Sequence, residues 1–184
     1  HRGGPGTVGS AMTWVECDER HLEAIRGIFN DAILNSTALY EYVPRTEVFM
    51  RDWLAAKRQG NFPVVGLTEE PGGELLGFGT YGPFRNFPGY RYTVEHSVYV
   101  EARHRGRGIG RLLLERIVER AREQGYHTLI GVIDATNEAS LALHRKLGFE
   151  ECGRIREVGH KFGRWLDVAL VQRCLPAAEG GGEP

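Results

Sequence analysis

The stretch TVEHSVYVEARHRGRGIG, Thr93 to Gly110, decides how the chain is read. Its first part, taken from Tyr92 to Val100, is β-branched and aromatic and reads as a strand. Its second part places Gly106, Gly108 and Gly110 among Arg105 and Arg107. Ile109, Leu112, Leu113, Ile117, Val118 and Ala121 then follow at offsets 0, 3, 4, 8, 9 and 12, the period of an amphipathic helix. Gly125 can stop it. A strand, a glycine-rich turn and a helix in that order make an anion-binding arrangement. The glycines let the backbone approach the anion, and the helix N-terminus points N–H groups carrying partial positive charge at it. The spacing Gly106-x-Gly108-x-Gly110 is not G-x-G-x-x-G, and no early βαβ unit hosts it, so a dinucleotide fold is weakly supported. No Lys-Ser/Thr pair follows, so a P-loop fails. On these residues alone, a plain tight connection and a small basic nucleic-acid patch stay open.

Outward from that stretch, the elements alternate. Asp18 can cap a helix running through Leu22, Ile25, Ile28, Phe29 and Ala32. Thr46 with Glu47 opens a second, through Phe49, Met50, Trp53 and Leu54, ending near Gly60. Pro63 to Thr68 and Leu75 to Tyr81 read as strands joined by a Gly72-Gly73 turn. Gly82 to Gly89 is a loop. Past the central helix, Thr128 to Ile133 is a strand and Asn137 to Leu147 a short helix ended by Gly148. Two strands, Glu151 to Val158 and Leu166 to Gln172, join around Gly163. No internal repeat or linker interrupts the pattern, so residues 12–175 are expected to form a single α/β domain.

Composition narrows the class. The chain has 184 residues, 23 Lys+Arg and 24 Asp+Glu, so its near-zero net charge gives no chain-wide reason to bind nucleic acid. A hydrophobic share of 41% excludes a disordered chain. No apolar run approaches the roughly 18 residues of a membrane span, so no membrane partner is expected. Cys17, Cys152 and Cys174 are scattered and odd in number. They form neither a metal spacing nor a disulfide framework, which fits a reducing cytoplasm. Glycine is in excess, 25 residues, about twice the usual ~7% share. Seven lie at the ends: residues 1–11 read as a tag or cloning remnant before Met12, and 176–184 as a flexible tail.

Arg105-x-x-Gly108-x-Gly110 after a strand resembles the acyl-CoA pyrophosphate loop of the GNAT N-acetyltransferases. Asn137 to Phe149 (NEASLALHRKLGF) resembles that superfamily's second CoA motif, in the right order. Thr93 to Val100, His144 and Gly159 to Val168 (GHKFGRWLDV) look like the phosphinothricin / methionine sulfoximine acetyltransferase branch. The resemblance covers nearly all of Met12 to Leu175. It implies a mixed, mostly antiparallel sheet, splayed at its centre, with helices on both faces. It also implies transfer of acetyl from acetyl-CoA to the α-amino group of a small amino acid or analogue, without a metal, and a homodimer.

Under that resemblance Glu95 is the general base. Its strand neighbours Val94, Val98 and Val100 suggest partial burial, which raises basicity, and an amine must lose its proton to attack. Val98, Tyr99 and Val100 would offer backbone groups to the pantetheine, one N–H polarising the thioester carbonyl. Arg105, Gly106, Arg107, Gly108, Ile109 and Gly110 would cradle the pyrophosphate. Asn137 caps its helix and could reach the pantetheine; Ser140, one turn on, could meet CoA phosphate or ribose. His144 shares a helix face with Asn137 and stands where many relatives carry a Tyr that protonates the departing thiolate. For the acceptor carboxylate, Arg85 offers a bidentate fork. Relatives often carry further arginines near it, where this chain has Phe87; Arg91 could compensate. Tyr90, Tyr92 and Thr93 are further candidates, and Tyr40 and Tyr42 a facing wall. Asp167 reads as structural, with Lys161 and Trp165 open. The rival readings are a GNAT acting on protein N-termini or other amines, and a non-catalytic acyl-CoA-binding protein.

Overall fold

The computed structural model describes residues 7–8 and 12–176. Apart from Thr7, Val8 and Pro176, the expected N-terminal remnant and C-terminal tail lie outside the described residues. The chain divides into two compact units, one of residues up to 81 with 97–116, the other of 82–96 with residues from 117 on.

In the first unit β1 (Thr7–Val8), β2 (Met12–Glu16), β3 (Val64–Thr68) and β4 (Leu75–Pro83) lie side by side, with β5 (Thr93–Val100) next to β4. β2, β3 and β4 pair antiparallel. Strand β2 had no counterpart in the sequence reading, because MTWVE is five residues without a clear period. Helix α1 (Leu22–Asn35) follows a single 3-10 turn. Asp18 caps that turn by accepting from the Arg20 N–H, while His21 Nδ1 accepts from the Asp18 N–H in return. Helix α2 (Glu47–Gln59) is capped by Thr46, with Glu47 in its first turn and Lys57 and Arg58 in its last, as the dipole favours.

These helices cover one side of the strands. Ile25, Ile28 and Phe29 of α1 and Met50 and Leu54 of α2 join Val64, Leu75 and Phe78 in one apolar cluster. Ile109 and Leu113 of α3 (Ile109–Glu123) join Leu67 and Leu76 in a second, with Val98 and Val100 against it. Neighbouring strand residues thus feed opposite clusters, which is how helices come to lie on both faces. Tyr99 goes to the first cluster, stacked on Phe78 with ring centroids 5.5 Å apart.

In the second unit β5 pairs with β6 (Thr128–Asp134) in parallel, and the register covers Thr93 to Glu95 opposite Thr128 to Ile130. β6 pairs antiparallel with β8 (Arg164–Cys174) along its whole length, and β8 with β7 (Glu150–Lys161). Helix α4 (Glu138–Lys146) precedes β7. The β7–β8 turn is Phe162-Gly163, both at positive φ (52° and 73°), as a twisted two-residue hairpin requires. The register of β7 shifts between Ile155 and Gly159. There Asp167 Oδ1 accepts the Glu157 N–H at 2.8 Å, giving Asp167 the structural role expected of it.

Gly77 fixes the spacing of β4 and β5. A Cβ there would lie 2.7 Å from the Tyr99 carbonyl oxygen, 3.0 Å from Leu113 Cδ1 and 3.2 Å from Val100 Cα. Two of these are backbone atoms and cannot swing away. Gly77→Ala is predicted to lower stability by about 1–3 kcal/mol, read as a shift in the urea midpoint. A midpoint unchanged from wild type would refute the close approach.

Candidate active site

Strand β5 carries most of the expected chemistry. Val94 and His96 are buried and Thr93, Glu95 and Ser97 half-buried, because successive side chains turn to opposite faces. The parallel register with β6 extends no further than Glu95, as the expected splay requires. Val98, Tyr99 and Val100 follow it, half-buried, each with its side chain in an apolar cluster. Their possible role is therefore a backbone one.

The turn after β5 has the geometry of an anion cradle. Gly106 and Gly108 adopt φ of +82° and +77°, and a Cβ at either would meet nothing within 4 Å, so backbone conformation alone requires glycine. Helix α3 begins at Ile109, so the first-turn N–H groups lack intrahelical acceptors. The two arginines differ. Arg107 is held by Glu69 through paired hydrogen bonds of 3.1 and 3.0 Å, whereas Arg105 meets Asp31 only at 4.0 Å and is largely exposed. Nearby, Glu74, Glu101 and His104 converge, but Arg103 binds both carboxylates and supplies their counter-charge.

In the second unit Asn137 caps α4, its Oδ1 accepting the Ser140 N–H at 3.1 Å. His144, two turns along, is buried. Its Nδ1 lies 2.8 Å from the Ser140 carbonyl oxygen. A carbonyl only accepts, so Nδ1 carries the proton. Nε2 is then the acceptor, and it faces Nε2 of His96 at 2.9 Å, so His96 carries its own proton on Nε2. The rings stack at 5.2 Å, and Phe149, the last residue of the second motif, packs on both at 5.1 and 5.0 Å. Gly131 of β6 makes room: a Cβ there would stand 3.0 Å from His96 Cε1. His96 Nδ1 is buried without a hydrogen-bond partner among the described residues, although the Ile130 backbone acts on the ring in favour of its protonated form. Burial, and then the facing His144 ring, push His96 down to about 3, and burial lowers His144 as well. The motif pointed to His144; its partner His96 was visible only as a polar residue on the apolar face of a strand.

The expected acceptor residues are divided between the two units. Arg85 is exposed, its guanidinium carbon 5.5 Å from the Phe87 ring and 5.4 Å from the Tyr90 ring. Tyr90 meets Phe84 edge-on at 5.9 Å. Arg91 lies over Tyr92 and reaches the Pro88 carbonyl. Thr93 lies opposite Thr128 in the β5–β6 register. Tyr42 belongs to the other unit and is exposed. Lys161 is buried and its Nζ lies 5.0 Å from the Phe162 ring, while Trp165 is exposed beside His160.

Residues 25–149 match the acetyltransferase (GNAT) family. The chain belongs to that family. It is 44% identical over 154 residues to the L-methionine sulfoximine/L-methionine sulfone acetyltransferase of Pseudomonas paraeruginosa, covering 84% of this chain and 89% of that one. A GNAT superfamily phosphinothricin acetyltransferase from Sinorhizobium meliloti, solved with acetyl-CoA, superposes with a TM-score of 0.86 at 35% identity, covering 92% of this chain and 95% of that one. The ribosomal-protein-alanine N-acetyltransferase structure from Brucella melitensis gives 0.84 at 44% identity, covering 88% of this chain and 99% of that one. The expected fold, the branch resemblance and the enzyme class, an acetyl-CoA-dependent acetyltransferase, are therefore this chain's own.

The neutral histidine pair makes stability depend on pH. Its folded-state pKa values lie below that of a free imidazole, so the unfolded chain binds protons first as pH falls. Stability is complete above pH ~6.5 and falls below it, by about 1.4 kcal/mol per pH unit for His96 alone. Replacing His96 with Asn is predicted to flatten the decline in urea midpoint between about pH 6.5 and 5. In wild type, nitrogen-15 spectra should show His96 not titrating above about pH 5 and His144 titrating below a free imidazole. An ordinary imidazole titration of His96 would refute the pairing.

Proposed function

We propose that the chain transfers acetyl from acetyl-CoA to the α-amino group of a small amino acid or analogue, of the methionine sulfoximine, methionine sulfone or phosphinothricin kind. The observation carrying this reading is the half-buried Glu95 at the point where the β5–β6 register stops, three residues before the backbone of Val98–Val100 on the same strand. Relatives named for those substrates support it.

Glu95 takes the proton of the attacking amine. The nitrogen–carbon bond forms, the thioester carbonyl passes through an oxyanion held by a backbone N–H near Val98, and the carbon–sulfur bond breaks to release CoA as thiolate. Arg105, Arg107 and the amides from Gly106 to Gly110 hold the pyrophosphate, Asn137 reaches the pantetheine arm and Ser140 meets CoA phosphate or ribose. His144 serves this end of the reaction as a fixed neutral ring. An imidazole with both nitrogens engaged is a poor proton donor, and a thiolate leaves readily without one. Arg85, Tyr90, Thr93 and Tyr42 contribute to the acceptor's surroundings. The chain also pairs as a homodimer, a reading supported by exposed Ile155, Val158, Phe162 and Trp165 on the β7–β8 hairpin.

A second reading, acetylation of protein N-termini, is favoured by the match to a structure named for ribosomal-protein alanine. Turnover across methionine sulfone, methionine sulfoximine, phosphinothricin, ordinary amino acids and alanine-terminated peptides separates the two, and activity on peptides alone would overturn the first. For the mechanism, Glu95→Gln is expected to lower kcat by about 10²–10⁴-fold while the KM for acetyl-CoA stays within about twofold. An unchanged kcat would remove Glu95 as the base.

A further inference from the structure

Helix α4 carries the second motif, yet of its nine residues only Leu141 and His144 are buried. Leu141 is apolar, and apolar contact is non-directional, so it does not stop a helix from turning. His144 adds direction. Its Nδ1 donates to the Ser140 carbonyl at 2.8 Å and stands 3.4 Å from the Ser140 hydroxyl oxygen. Its Nε2 accepts from His96 Nε2 at 2.9 Å. His96 is the residue next to Glu95 on β5. A continuous line thus runs from the strand of the candidate base, through two imidazoles, to the residue proposed to meet CoA phosphate or ribose. At the far end of α4, Arg173 of β8 donates to the Leu147 carbonyl at 2.6 Å and holds the helix C-terminus.

Packing alone does not require a histidine at position 96. The residue is 5% exposed, its Nδ1 lacks a hydrogen-bond partner among the described residues, and Phe149 packs on its ring at 5.1 Å. A valine or leucine would suit such a strand position without leaving a buried polar atom unpaired. The neighbouring strand also gives way to the ring. A Cβ at Gly131 of β6 would stand 3.0 Å from His96 Cε1 and 3.2 Å from its Nε2, and a glycine inside a strand weakens it. What the imidazole supplies, and an apolar side chain cannot, is a donor of fixed direction. That donor meets the nitrogen of His144 that the helix itself leaves unsatisfied.

We infer that His96 is a positioning residue for acetyl-CoA: through His144 it fixes the rotation of α4, and with it the placing of Asn137 and Ser140 relative to the strand that carries Glu95. The inference rests on the proposed cofactor contacts of Asn137 and Ser140 and names what keeps them in place. Both residues lie at the N-terminal end of α4, where Asn137 is the cap and accepts the Ser140 N–H. A turn of the helix about Leu141 would swing both away from a ligand, and the bond between the two imidazoles restrains that turn. When only a fraction of molecules holds the binding arrangement, apparent affinity falls by that fraction. His96 is itself buried, so it acts on the cofactor through His144 and not by contact.

The test measures the Kd for CoA by calorimetry, alongside Tm, in wild type, His96→Leu and His96→Gln. Leucine keeps the apolar packing and removes the donor; glutamine returns an N–H close to where Nε2 stood. His96→Leu is expected to raise Kd by about 5–20-fold, with the KM for acetyl-CoA rising in step and kcat at saturation falling by a smaller factor. His96→Gln should recover most of the affinity. Ile25→Val, which thins the core of the other unit, should lower Tm while binding CoA as wild type does. An unchanged Kd in His96→Leu, no recovery in His96→Gln, or an equal loss of affinity in Ile25→Val would overturn the inference. So would nitrogen-15 spectra of wild type showing His144 protonated on Nε2, a result that needs no variant to fold. If Asn137→Ala and Ser140→Ala bind CoA as tightly as wild type, the proposed contacts fail and the inference with them. If they bind it weakly while His96→Leu does not, the contacts stand and the inference alone falls.

Discussion

Strand β5 runs in register with β6 only from Thr93 to Glu95, and the other features are arranged around that interruption. A strand paired on both edges has no backbone groups to offer a ligand. One that leaves its parallel neighbour part-way has such groups, provided something else keeps it extended. Here β4 does so, with the Glu101 N–H donating to the Leu76 carbonyl at 2.8 Å and Gly77 allowing the two backbones to approach closely. The side chains of Val98 and Val100 on one face and Tyr99 on the other are gripped by apolar clusters. The strand is thus held by its side chains where it is not held by hydrogen bonds to β6. The glycine turn and the start of α3 follow within ten residues of Val100, so a ligand lying along the strand leads to the anion cradle.

Charge around this framework is mostly spoken for. Arg103 is paired with Glu74 and Glu101, and Arg107 with Glu69. These exposed pairs add little to stability, but they hold the flanks of the turn in place. Where the chain buries imidazoles it keeps them neutral: His96 and His144 share one proton position between them and are walled by Phe149. Arg45 is half-buried between the Phe29 and Phe49 rings, with its Nη1 lacking a hydrogen-bond partner among the described residues and the Glu41 charge acting on it.

Much of the fold was legible because its signals are local. Thr46 caps α2 as read, Asp18 caps the 3-10 turn ahead of α1 rather than α1 itself, Gly125 lies just past the end of α3 at positive φ, and Asn137 caps α4. Strand β2 was not legible, since five residues carry too little period, and β7 and β8 reach beyond their expected ends to a turn that only the Phe162 and Gly163 dihedrals define. In the site, the glycines and His144 announced themselves by motif. His96 and Arg45 did not. A histidine on an apolar strand face acquires meaning only when α4 brings a second ring to it, and an arginine between two loop residues only when Phe29 and Phe49 close on it.

The sequence by itself determined the family, the order of elements from α1 onward, the glycine-dependent turn and Glu95 as the candidate base. These depend on spacing, capping and backbone conformation within about a dozen residues, and such interactions are written in neighbouring letters. Only the tertiary structure decided which polar groups are paired and which are not. Glu69 lies 38 positions from Arg107, and His144 lies 48 from His96. Burial and hydrogen-bond partners are properties of where the chain returns to itself. That is why the protonation of the histidine pair and the unpartnered Nη1 of Arg45 emerge only once the strands and helices are in place.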